Sequence, residues 1–138
     1  MTEQYFDIEG LFPSFNTYID NERSHRNKAS KMKSQWQGVA ILFVRCARLT
    51  PITGPVHLHF AWREESRRRD VDGISAFAQK AIQDALVKEK ILPDDSQRWV
   101  KGHSHSYTVD KINPGVTVYL LPLDVAADRV KEMLDYGV

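Results

Sequence analysis

A single cysteine, Cys46, is all this sequence holds, so no internal disulfide can form. Long hydrophobic runs are missing too: no stretch approaches the roughly 18 consecutive apolar residues that a membrane span needs. Residues 1–6 lack the basic start and apolar core of a secretory signal. Neither familiar Gly-rich phosphate loop is found, and no nucleophile-elbow sequence supports Ser-His-Asp chemistry. These absences lead us to expect a soluble protein of a reducing, cytoplasmic compartment with no membrane contact. A strong charge of one sign is also lacking, since the net charge is +1. That total hides an uneven distribution, because Arg23, Arg26, Lys28, Lys31, Lys33, Arg45 and Arg48 face only Glu22 between residues 22 and 48. Arg63, Arg67, Arg68 and Arg69 form a second basic cluster, whereas the chain from Asp124 onward is mildly acidic. What is present is an ordinary globular composition, 42% hydrophobic and 27% charged over 138 residues, which suits one domain over 1–138 with one core.

The apolar pattern gives the expected elements. A short strand over 5–8 leads to a turn over 11–14, where Pro13 biases Phe12 toward extended backbone. A long helix is expected between 16 and 48. Ile19, Ala29, Met32, Trp36, Val39, Ala40, Phe43 and Ala47 recur there partly at helical spacing, Gly38 leaves room for a break, and Cys46 reads as a core residue. Thr50-Pro51 and Gly54-Pro55 end it. Val56, Leu58, Phe60 and Trp62 then alternate with His57, His59 and Ala61, the period of a strand over 56–62. Asp72 can cap the following helix, whose stripe is Ile74, Phe77, Ala78, Ala81, Ile82, Ala85 and Leu86. After the Pro93-Asp94-Asp95 turn we expect strands near 98–101, 106–109 and 116–121, and a closing amphipathic helix over 125–134. The fold class is therefore α/β of the α+β kind: a single domain with a mixed β-sheet packed by a long N-terminal helix and a central helix.

Chemistry gathers around acidic residues. Asp70 and Asp72, one residue apart, would point to the same side of an extended segment, roughly 6–7 Å apart at Cα. Mg²⁺, or Mn²⁺, prefers oxygen ligands and keeps several waters, so two or three carboxylates with water and a substrate phosphate suffice. A second pair, Asp94-Asp95, follows the helix and returns carboxylates toward the sheet. Acidic groups inside basic surroundings suit phosphodiester hydrolysis, in which metal ions offset the substrate's charge while Lys and Arg hold the polyanion. A rival set is His57, His59, His103 and His105, two His-x-His pairs that could bind zinc or another transition metal.

The run Arg69-Asp70-Val71-Asp72-Gly73-Ile74, then Lys80 and Asp84-Ala85-Leu86, then Leu92-Pro93-Asp94-Asp95-Ser96-Gln97, resembles the RusA family of Holliday-junction resolvases. The resemblance is best over 67–97 and weaker at Pro13-Ser14-Phe15-Asn16, the following basic helix and Val109-Asp110-Lys111. It implies a RusA-like fold and a homodimeric, Mg²⁺-dependent endodeoxyribonuclease that nicks four-way DNA junctions, in recombination, repair or prophage DNA processing. By that resemblance Asp70, Asp72 and Asp95 match the metal-binding carboxylates and Lys80 the catalytic lysine. Arg23, Arg26, Lys28, Lys31, Arg67, Arg68 and Arg69 are the expected DNA-binding residues. The chain departs from the family in carrying Gly73 where Asn is usual, and in a longer spacing from Asp72 to Lys80, about two helical turns or roughly 12 Å. Alternatives are a catalytically inactive DNA-binding module of the same fold, a histidine-based metalloprotein unrelated to DNA, and, for Lys80 alone, a surface salt bridge to Asp84 at i+4.

Overall fold

The computed structural model describes residues 1–13 and 26–136, with the side chains of Arg26, Asn27, Asp72, Asp135 and Tyr136 left out. In chain order the elements are β1 (Gln4–Glu9), α1 (Arg26–Ala47), β2 (Val56–Glu64), α2 (Val71–Lys88), β3 (Val100–Val109), β4 (Gly115–Pro122) and α3 (Leu123–Tyr136). The strands form one mixed sheet in the order β1-β4-β2-β3. β2 and β3 run parallel, which requires a crossover connection between them, and here α2 is that crossover. β4 is antiparallel to both β1 and β2. The chain is thus a single-sheet α+β fold.

One face of the sheet carries the core. Val56, Leu58, Phe60 and Trp62 of β2 lie beside Phe6 and Ile8 of β1 and Val116, Val118 and Leu120 of β4. Onto them pack Ala40 and Val44 of α1 and the whole expected stripe of α2, every member of which is buried. Helical period on α2 and period two on β2 therefore meet in one apolar layer. α1 runs through Gly38 without a break and ends at Ala47, after which Arg48 turns the chain with φ 53°. Ile19, and the first part of the expected helix with it, lies outside the described residues. Two readings on α1 need correcting: Cys46 is exposed because it falls off the face that carries Ala40 and Val44 toward the sheet, and Ala47 is exposed because, although on that face by spacing, it is the last residue of the helix.

The opposite face is polar and partly covered. α3 packs against β2, β4 and β3. Leu121 and Ala126 are buried outside the main core, and register puts Leu121 beside His57 and Tyr119 beside His59. Instead of short strands near 98–101 and 106–109, a single strand, β3, runs from Val100 to Val109, with Arg98 and Trp99 in the turn before it. Its residues 102–106 alternate Gly, His and Ser rather than apolar and polar, so hydrophobic period could not reveal them, but continuous pairing with β2 holds them extended. Among the described residues no helix is long and apolar enough to cross a membrane.

Candidate active site

The acidic region is built around α2. Asp70, in extended backbone with φ −75° and ψ 162°, is the N-cap, and its Oδ1 accepts a hydrogen bond of 2.6 Å from the Gly73 amide. This corrects the assignment of the cap to Asp72, which is the second residue of the helix itself. It also corrects the extended geometry expected for the pair, because backbone from Val71 onward rises about 1.5 Å per residue rather than about 3.3 Å. The physical reason lies one residue earlier. Arg69 is pinned to the end of β2 by a forked ion pair with Glu64, so the chain turns into the helix directly after it. The side chain of Asp72 lies outside the described residues.

Lys80 stands ten residues beyond Asp70 on α2, about 15 Å along the axis. Its ammonium lies 3.1 Å from Asp84 Oδ1 and 3.3 Å from Asp95 Oδ2. The pKa of Lys80 is raised above its ordinary value, first by the hydrogen bond to Asp84, with smaller contributions from the charge of Asp84 and from Asp95. Lys80 therefore makes the i+4 surface pair and also reaches the second acidic pair. Within that pair the roles divide. Asp94 Oδ1 accepts from the Ser96 amide at 2.8 Å, a local turn contact, and its hydrogen bonds with Ser96 hold its carboxyl below the usual range. Asp95 is the member that faces α2. A cavity of about 140 Å³ opens beside the Lys80 stem between α1 and α2, lined among others by Lys33, Gln37, Phe77 and Asp84.

Asp70 and Asp95 offer the hard oxygen donors that Mg²⁺ takes. Among the described residues, however, no group of three or more His, Cys, Asp or Glu side chains lies close enough to hold a metal ion. The described carboxylates match the cation in chemistry: Asp70 stands at the N-cap of α2 and Asp95 meets that helix at Lys80. Of the expected DNA-binding residues, Lys28, Lys31, Arg67 and Arg68 are exposed. Arg69 is tied inward, and Arg63 is likewise committed, to Asp7 at 2.7 Å, Thr117 at 2.7 Å and the Asn113 carbonyl at 3.0 Å. Arg23 and the side chain of Arg26 lie outside the described residues.

The histidine pairs are separated by the sheet. His103 and His105 stand opposite Leu58 and Phe60 in the β2–β3 register, so they share the core-side face, where His105 stacks on Phe60 at 5.3 Å. His57 and His59 point the other way, toward Ser104 and Ser106. Four imidazoles on two faces cannot converge on one ion. Instead they form two hydrogen-bonded chains. His59 is fully buried, with Nδ1 2.6 Å and Nε2 3.0 Å from the hydroxyls of Ser104 and Ser106. Burial, then the nearby His105 and His57, lowers its pKa to about 4. On the other face Trp62 Nε1–H donates to His105 Nδ1 at 2.9 Å, and an indole is only a donor. The proton of neutral His105 must therefore sit on Nε2, 3.2 Å from His103 Nδ1.

Glu64 is the residue that sequence reasoning missed. The β2 alternation 56, 58, 60, 62 continues inward to 64, which places a carboxylate in the buried phase, and buried acids require a cation. Arg69 answers that need. No protein-family model matches this chain, and no curated protein is similar enough to match it.

Proposed function

We propose that this chain is a Mg²⁺-dependent DNA endonuclease acting on four-way junctions, as a cytoplasmic homodimer of the RusA kind. The observation that carries the reading is the contact between Lys80 and Asp95. These residues come from separate parts of the family-like motif, and the fold brings them within 3.3 Å of each other. Asp70, Asp72 and Asp95 are the proposed metal ligands; a bound Mg²⁺ would supply charge neutralisation and an activated water. Lys80 offsets charge on the scissile phosphate, and the exposed Lys28, Lys31, Arg67 and Arg68 hold neighbouring phosphates. Two symmetric nicks call for two equivalent sites, most simply in a two-fold dimer.

The deciding experiment is nicking of a synthetic four-way junction by wild type and Asp72→Asn, with and without Mg²⁺. Wild type should cut only with the metal, and the variant should bind without cutting. Equal cutting by both would overturn the reading. A second reading, a catalytically silent junction-binding module, draws support from Gly73, which stands where the family usually carries Asn. It expects binding by both proteins and cutting by neither.

A further inference from the structure

We propose that Arg69 is a positioning residue that sets Asp70, and that it is not a phosphate contact. The inference rests on the proposed function, in which Asp70 is a metal ligand. Arg69 is the last of three consecutive arginines, and the other two, Arg67 and Arg68, are exposed. Its Nε and Nη2 grip Glu64 Oε1 and Oε2 at 2.6 and 2.8 Å, while Nη1 donates to the Phe12 carbonyl at 2.7 Å. The Glu64 side chain is only 7% exposed. A phosphate competing for this guanidinium would have to strand a buried carboxylate without its cation, which is strongly unfavourable.

The pinned arginine sits directly before the N-cap. Consecutive Cα atoms are about 3.8 Å apart, so fixing Arg69 against the end of β2 leaves Asp70 little freedom. From the other side the Tyr107 hydroxyl, on β3, approaches the Val71 carbonyl at 3.4 Å. Asp70 is thus held between two anchored neighbours, with Oδ1 on the Gly73 amide. The clamp fixes where the carboxylate stands, as outer-shell partners fix metal ligands elsewhere.

The test uses the full chain as wild type, Glu64→Gln, and the neutral pair Glu64→Gln/Arg69→Gln. Amide exchange by NMR reads Gly73 against Ala78, in the interior of the same helix, so that general destabilisation cancels. Isothermal titration with Mn²⁺ and the salt dependence of junction binding complete the set. In both variants Gly73 exchange should quicken about tenfold relative to Ala78 and Mn²⁺ affinity should fall about tenfold, the lower end of what loss of outer-shell support costs. The salt slope of the double variant should match that of wild type. An unchanged Gly73 amide would overturn the proposal. So would a slope shallower by about 0.9, the signature of one lost phosphate contact. If wild type shows no Asp70-dependent Mn²⁺ binding, it is the metal reading of Asp70 that fails, and Gly73 exchange with the salt slope still decides whether Arg69 positions it.

Discussion

Acid should destabilise this fold through His59 before its carboxylates protonate. The imidazole is fully buried and its pKa is lowered to about 4, chiefly by desolvation, against about 6.5 in an unfolded chain. A lowered folded-state pKa means that the native form refuses a proton which the unfolded form accepts. Stability is therefore complete above about pH 6.5 and is lost as pH falls toward 4. At about 1.4 kcal/mol per pKa unit, the difference is on the order of 3 kcal/mol for this one group. His105, also lowered to about 4 by burial and by His103, steepens the same limb, and His57 is shifted in the same direction. Urea unfolding at a series of pH values measures the limb, and His59→Gln should make it shallower by about one proton's slope, roughly 1.4 kcal/mol per pH unit. NMR titration of the imidazoles is the direct check. A His59 signal that titrates near pH 6.5, or a stability flat between about pH 7 and 5, would refute the reasoning.

Asp70 has separable structural and chemical roles under the proposed function. Asp70→Asn keeps an oxygen for the Gly73 amide and should retain stability while losing Mg²⁺-dependent nicking, whereas Asp70→Ala should also lower stability by about 1 kcal/mol in thermal or urea unfolding. Lys80→Ala removes ion pairs whose lysine side chain is 59% exposed, so stability should change by less than about 1 kcal/mol. Single-turnover cleavage by the same variant should slow on the order of a hundredfold; a rate within about threefold of wild type would assign Lys80 to the surface pair alone. Gly115 has φ +158°, and a Cβ there would run into the Ile8 carbonyl oxygen and the Arg63 guanidinium. Gly115→Ala should therefore destabilise by at least about 2 kcal/mol in urea unfolding, even though the site is far in sequence from the acidic residues.

The parts of the fold that were legible in sequence are those in which apolar period and burial coincide. Val56, Leu58, Phe60 and Trp62 announced β2, and Ile74 through Leu86 announced the buried side of α2. Polar alternation carries no such signal, so β3 reads in the sequence as two pieces. Local chemistry was ambiguous wherever two like residues could do one job. Asp70 and Asp72 are both competent caps, and only the tertiary pairing of Arg69 with Glu64 decides between them. In the same way three adjacent arginines look alike until one finds a buried partner. The order of the acidic motifs suggests that carboxylates return toward the sheet, but the approach of Asp95 to Lys80 is not legible in it, and the distance from Asp70 to Lys80 follows from a helix that begins at Val71.

The sheet order also governs how the molecule can be made. Among the described strands β1 pairs only with β4, with Gln4 opposite Leu120 and Glu9 opposite Gly115. In a chain synthesised from its N-terminus, the first strand to appear therefore waits for the last. Phe6 and Ile8 have no sheet neighbour until β4 arrives, although α1, β2, α2 and β3 have all been produced by then. Among the described strands β4 is the one that lies between β1 and the parallel β2–β3 pair, so closing that wide loop joins the two parts of the sheet. A nascent chain halted before Gly115 would hold a crossover unit and an orphan strand. Open strand edges of that kind are a standing invitation to mispair, and they make the stretch of synthesis between Val109 and Pro122 the interval in which this protein has most need of a chaperone.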